Sequence, residues 1–222
     1  MKKYYIITVL ICLVVSTSVA QKKTIEYGVQ SGMNINSGRG TAIIKDKIDN
    51  LTGAGVGVHI KLNLSPSFGI KAMLHYDQNG YAYRDLVFAD NIGTTIGSSD
   101  LLIRLNYINI PVFAEYSTQG KLQITGGVGA FIGLLMSSNA ITKVKVAPGY
   151  NNTTKMEYIK SSNFGVTAGA GMRWLLNKKI KLCFDLRDNL GLSNINKPVN
   201  NAPTANIQIN SLSLLFGISV KM

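Results

Sequence analysis

The sequence predicts an all-β fold: an eight-stranded antiparallel up-and-down transmembrane β-barrel with short periplasmic turns and four long extracellular loops. Three observations carry this. Apolar residues recur with a period of two from Glu26 to the last residue, which is the strand signal. Short and long connections alternate strictly between the segments so defined, as they do in outer-membrane barrels. The first twenty residues carry an export pattern.

The export pattern comes first in the chain. Lys2 and Lys3 form a positive start, Tyr4 to Val15 an apolar stretch, and Ser18-Val19-Ala20 the small residues a signal peptidase reads. Residues 1–20 are therefore expected to be a cleaved signal peptide and 21–222 the barrel domain. A single membrane anchor is the competing reading, but the segment is short and ends in small and polar residues. A lipoprotein signal does not fit, because Cys12 lies inside the apolar stretch behind Val9-Leu10-Ile11. Loss of this segment lowers the net charge from +12 to +10 and leaves Cys183 as the one cysteine, so no internal disulfide is expected.

The strands follow in order. Ile25–Asn36, Gly53–Leu64, Phe68–Tyr76 and Leu102–Tyr116 alternate. Between Lys121 and Met136 the even positions run Leu122, Ile124, Gly126, Val128, Ala130, Ile132, Leu134, Met136. In Asn163–Trp174, Phe164, Val166, Ala168, Ala170, Met172 and Trp174 oppose Gly165, Thr167, Gly169, Gly171 and Arg173. In Lys179–Leu190, Ile180, Leu182, Phe184 and Leu186 oppose Lys181, Cys183, Asp185 and Arg187. The last segment sets Leu212, Leu214, Phe216, Ile218, Val220 and Met222 against Ser211, Ser213, Gly217, Ser219 and Lys221. Segments of this length suit a tilted strand crossing a bilayer.

Ser65-Pro66-Ser67, Ser117-Thr118-Gln119-Gly120 and Leu175-Leu176-Asn177-Lys178 are the short connections. Ser37–Thr52, Asp77–Leu101, Ser137–Ile159 and Ser193–Asn206 are the long ones.

Alternation alone does not separate this barrel from a soluble one with its apolar face inward. The polar face is rich in glycine and carries few charges, too few for a solvated exterior. Tyr27, Phe68, Tyr116 and Trp174 fall on the apolar face near one rim, as an interfacial girdle should. The apolar face is therefore expected to meet lipid, in the outer membrane of a Gram-negative bacterium. The lumen then collects Glu26, Gln30, Asn34, His59, Lys61, Lys71, His75, Glu115, Gln123, Thr167, Arg173, Lys181, Asp185, Arg187 and Lys221. An eight-stranded lumen is just wide enough for side chains to fill. Arg173, Arg187, Lys181 and Lys61 are expected near Glu26, Glu115 and Asp185, since unpaired buried charges are costly. A narrow channel is the alternative.

The ordered pieces Tyr107-Ile108-Asn109-Ile110-Pro111-Val112, Gly126-Gly127-Val128-Gly129 with Gly133-Leu134-Leu135, Phe164 to Gly171, and Leu190-Gly191-Leu192-Ser193-Asn194-Ile195 together resemble the PorT-like outer-membrane β-barrel proteins of Bacteroidota. The resemblance spreads over most of residues 21–222. It implies the barrel fold and the outer membrane. The family's namesake takes part in protein secretion, so an accessory role in a secretion or envelope machine stands as a second expectation. Two departures are visible: Asn109 stands where the family often has an acid, and the chain ends on Met222 where members usually end on an aromatic.

Catalytic and ligand chemistry is sparse. His59 and His75 fall on the lumen face of one hairpin, at least ~7 Å apart by diagonal strand spacing, and no Cys or carboxylate cluster joins them. No G-x-S-x-G occurs. The expectation is a protein that is not an enzyme and has no cofactor or metal. Nucleic acid is not an expected partner, because the basic charge is spread and no stacking platform accompanies it. Pro111 removes a ladder donor and is expected to mark a bulge or irregular pairing. The third long loop is the most basic, with Lys143, Lys145, Lys155 and Lys160 against Glu157. These four are candidate contacts for the phosphates of surface glycolipid; a solvated loop is the alternative. The sequence thus points to a monomeric structural or surface-interaction barrel whose partner is outer-membrane lipid.

Overall fold

The computed structural model describes residues 24–40, 48–89, 95–145, 151–198 and 206–222. The expected signal peptide lies outside them. Among the described residues there are ten strands: β1 (Thr24–Gly40), β2 (Ile48–Asp49), β3 (Leu51–Asn63), β4 (Phe68–Ala89), β5 (Thr95–Ser117), β6 (Leu122–Val144), β7 (Asn151–Lys155), β8 (Ser162–Leu175), β9 (Ile180–Gly191) and β10 (Ile207–Lys221). Eight of them form a closed ring in the order β1, β3, β4, β5, β6, β8, β9, β10, every neighbour antiparallel. The ring closes between first and last strands, from Glu26 against Lys221 to Gly40 against Ile207. The short β2 and β7 pair with β4 and β6 at the extracellular end.

Closure leaves the eight-stranded ring without an edge, which a bilayer demands. The alternation sets the faces. Val29, Met33, Val58, Leu74, Val128, Phe164, Leu186, Leu214 and Ile218 all point outward and are exposed, as a lipid-facing band requires. Tyr27, Tyr116 and Trp174 are exposed at the periplasmic ends of their strands, and Phe68 is half-buried beside Tyr116.

The periplasmic turns are closed by their own polar side chains. Ser65 Oγ accepts from the Phe68 amide at 3.0 Å, and Asn177 Oδ1 accepts from the Lys179 and Ile180 amides, both at 2.8 Å. Gly120 ends the middle turn with φ +118°, a left-handed conformation that favours glycine.

Three strands run further than their alternation suggested. β4 continues to Ala89, β5 begins at Thr95 and β6 continues to Val144, so much of the expected loops 77–101 and 137–159 is hairpin. Asp77, Asn79 and Gly80 resemble turn residues, yet the period of two carries on through them: Asp77, Asn79 and Tyr81 are all buried inside the barrel. A register shift between Asn106 and Tyr107 leaves Met136 as an extra residue on β6. Beyond it the inward parity of β6 passes from odd to even residues, and Ser138 is buried. Pro111 is not that bulge. The pairing of β4 with β5 is interrupted between Ala72/Val112 and His75/Asn109 but resumes in the same register, because a missing donor removes bonds without adding a residue.

Candidate functional site in the lumen and at the extracellular rim

From the periplasmic end, the first interior layer joins β1, β3, β5 and β9. Glu26 accepts from Lys181 Nζ at 2.7 Å and from Asn63 Nδ2 at 2.9 Å. Lys61 Nζ donates to Glu115 Oε1 at 2.7 Å and to Ser117 Oγ at 2.9 Å. Below them lies an open basin of about 290 Å³ lined by Glu26, Lys61, Asn63, Gln123, Lys181 and Lys221. Gln123 is only half-buried and Lys221 is exposed, so these two belong to the rim rather than the interior.

The second layer is centred on Asp185. Arg173 meets it with two parallel bonds, Nη1 to Oδ1 at 2.6 Å and Nη2 to Oδ2 at 3.1 Å, the fork geometry that suits guanidinium to carboxylate. Lys71 Nζ lies 3.2 Å from Asp185 and 4.0 Å from Glu115, and Arg173 lies 3.6 Å from Glu115. Above this layer a pocket is bounded by Gln30, Met73, Phe113, Thr125 and Leu215.

The third layer was not foreseen. Arg187 pairs with Asp77 at 3.1 Å, not with Glu26, Glu115 or Asp185. Asp77 is 1% exposed and also takes His75 Nδ1 at 2.7 Å and Asn109 Nδ2 at 2.7 Å. Asn109 thus acts as a donor to the acid two strand positions beyond His75. Counting by twos along β4 from His75 would have found Asp77. Thr167 Oγ1 donates to Asn189 Oδ1 at 2.7 Å at the same end. Gln30 and Asn34 face the interior too, with Gln30 and the Asn34 Nδ2 lacking hydrogen-bond partners among the described residues.

Both histidines lie over glycine. A Cβ on Gly28 would stand 2.3 Å from the His59 ring, and one on Gly57 2.5 Å from that of His75. His59 pairs in register with Met73 and His75 with Gly57, so the two imidazoles are two residues apart along the hairpin. No group of three or more metal-ligating side chains occurs among the described residues.

An apolar cluster caps the extracellular end. Tyr81, Ile103, Leu105 and Tyr107 come from β4 and β5, Ile207 and Ile209 from β10, and Ile159 and Ile195 from the connections. A bridge between Ile159 and Asn196 holds the connections inward. So do the Lys160 amide on the Ile195 carbonyl at 2.7 Å and the Ile195 amide on the Ile207 carbonyl at 2.9 Å. Isoleucines in polar loops were the overlooked signal.

The four loop lysines separate. Lys145 is tied to Asp85 and Asp100. Those bonds, Asp85 first, raise the affinity of its ammonium for its proton. Asp100, which accepts from the Asp85 amide and from Lys145, is held below the usual carboxylate range. Lys160 is half-buried, while Lys143 and Lys155 are exposed.

The chain is similar to several solved outer-membrane proteins. OprG from Pseudomonas aeruginosa is 12% identical, with 90% of this chain and 97% of that one covered and a TM-score of 0.46. Outer membrane protein W of E. coli is 10% identical, covering 89% and 97%, with a TM-score of 0.45. Ail, the attachment invasion locus protein of Yersinia pestis, crystallised with the heparin analogue sucrose octasulfate, is 10% identical, covering 89% and 99%, with a TM-score of 0.42. No curated protein matches the chain. Residues 19–197 match the outer membrane protein beta-barrel domain family. The chain belongs to that family, and its place is the Gram-negative outer membrane.

Proposed function

We propose that this protein is a closed surface-interaction barrel, not an enzyme, that passes no solute and works through its extracellular rim. The observation that carries this reading is the stack of layers in the lumen. Two tiers of ion pairs, a third around Asp77 and an apolar cap of Tyr81, Ile103, Leu105, Tyr107 and four isoleucines lie one above another. Each of the four interior carboxylates Glu26, Asp77, Glu115 and Asp185 is met by a cation within 4.0 Å. Such saturation ties the strands together and leaves none of these four carboxylates without a cation beside it. With a sealed interior, contact is left to the outer rim, where barrels commonly carry function. Outer-membrane lipid, including surface glycolipid, is the proposed partner of a monomeric barrel. Residues 1–20 are proposed as its signal peptide and 21–222 as the working domain.

A second reading has its own support. The periplasmic basin holds Lys61, Lys181 and Lys221 around Glu26 and opens outward. The resemblance to the PorT-like proteins of Bacteroidota suits an accessory of a secretion or envelope machine that docks there. Cross-linking in intact outer membrane, followed by purification of the full chain, separates the two. The first reading expects adducts at extracellular residues such as Lys143 and Lys155. Adducts confined to Lys178, Lys179 and Lys221, joined to envelope proteins, would replace it with the second.

A further inference from the structure

The outward face of β5, β6 and β7 carries a charged row at a defined height. On β5 the outward residues Val112, Ile110 and Ile108 rise through the lipid-facing band, and on β6 so do Ile132, Leu134 and Met136. The first polar pair above them is Asn106 and Ser137, joined by a bond of 2.8 Å. One row higher, Arg104 stands opposite Asn139, and Asn139 opposite Lys155. Arg104 is exposed between the buried Ile103 and Leu105, so its side chain leaves the barrel outward. The Met136 bulge turns Asn139 to the same face. Lys155 is exposed beside it.

Two strand spacings of ~4.8 Å place the Arg104 and Lys155 backbones about 10 Å apart, within joint reach of two long side chains. On the other flank Arg104 faces Gly80. Gly80 has φ +153°, and a Cβ there would stand 2.0 Å from the Ile103 carbonyl oxygen, so this position stays without a side chain and leaves the guanidinium room. The described residues of the row, Gly80, Arg104, Asn139 and Lys155, include no carboxylate, and Glu157 follows two residues beyond Lys155. Lys145, nearby in sequence, is spent on Asp85 and Asp100.

We infer that Arg104 and Lys155 form a binding site for the phosphate of an outer-leaflet glycolipid whose acyl chains lie against Ile108, Ile132, Leu134 and Met136. Cations just above an apolar band lie where phosphate headgroups sit, and the planar guanidinium fork of Arg can donate to two oxygens of one phosphate at once. Lys143, four residues beyond Asn139 on the same face, is an outlying contact. This site rests on the reading that the barrel works through its rim, and it selects among the loop lysines: Lys155 at the centre, Lys145 excluded, and Arg104 added from the neighbouring strand.

The test uses the full chain in zwitterionic detergent micelles, titrated with bis-phosphorylated lipid A and followed by native mass spectrometry of the retained lipid. Heat-modifiable migration of each variant checks that the exposed substitutions leave the barrel folded. The double variant Arg104→Gln with Lys155→Gln is expected to weaken binding about thirtyfold and each single variant about fivefold. Lys178→Gln in a periplasmic turn is expected to bind as the parent does. Unchanged affinity in the folded double variant overturns the site. Inositol hexakisphosphate, a soluble polyanion, tests the source of the phosphate: binding as tight as that of lipid A, lost equally in the double variant, overturns the lipid assignment. None of these outcomes depends on whether the barrel conducts, so the site and the sealed-lumen reading fail separately.

Discussion

Removing Asp77 tests the interior most sharply. Its carboxylate takes His75 Nδ1 at 2.7 Å, Asn109 Nδ2 at 2.7 Å, and Arg187 Nη2 at 3.2 and 3.1 Å. Arg187 is 2% exposed, and its Nε and Nη1 have no hydrogen-bond partner among the described residues. Asp77→Ala therefore strands a buried guanidinium with no carboxylate. Breaking such a pair costs about 3–5 kcal/mol. Arg187→Met removes the stranded charge, and replacing both partners by apolar groups is often close to neutral. The double variant should then be well short of additive, with a coupling of about 2 kcal/mol or more in a double-mutant cycle. Trp174 is the one tryptophan and is exposed near the periplasmic rim, so its fluorescence reports passage between lipid and water. Reversible urea unfolding from lipid vesicles, read at Trp174, supplies the four free energies. A loss below about 1 kcal/mol for Asp77→Ala, or strictly additive variants, would refute the argument that this layer is a coupled ion pair.

Three further outcomes follow from the same geometry. Gly28→Val places atoms where the His59 ring lies, and overpacking should cost about 1–3 kcal/mol in the same unfolding assay; a wild-type midpoint would show that His59 does not occupy that space. Ile195→Asp should detach the connections at the extracellular mouth and admit protease there while the ring keeps its heat-modifiable shift; continued protection would contradict the apolar cap. Asp100 is lowered, so its tie to Lys145 contributes above the ordinary aspartate range and is lost as pH falls through the lower folded value. Lys145 is raised, so the same tie is present below the ordinary lysine range and is lost as pH rises through the higher folded value. Hydrogen-exchange protection of the β4–β5 tip should therefore be flat from about pH 5 to 9; a step near neutrality would show that another group governs it.

Much of the fold is written in parity. From Leu122 to Met136 or Lys179 to Leu190, a period of two fixes which side chains meet lipid and which meet each other, because a slip of one residue would expose the whole lumen set. Short turns with Ser, Pro, Gly and Asn mark the other end just as plainly. Parity also brought Lys61, Lys71, Glu115, Arg173 and Asp185 to the interior, though not which cation meets which acid, since that depends on height around a tilted ring. Asp77 escaped notice because Asp-Gln-Asn-Gly has turn chemistry, and only pairing with β5 keeps it extended. The facing of Lys143 depends on the Met136 bulge, which leaves no mark in composition. The cap was hidden because Ile159 and Ile195 lie 36 residues apart and neither stands in a periodic run.

Planar-bilayer recording of the purified full-length protein at high salt bears most directly on the sealed lumen. With three tiers of paired charges beneath an apolar cap, the membrane current should stay at baseline, and Ile195→Asp alone should not raise it, because the layers around Asp77 and Asp185 remain. Stable, reproducible conductance steps from the wild-type barrel would contradict a closed interior and make this protein a channel.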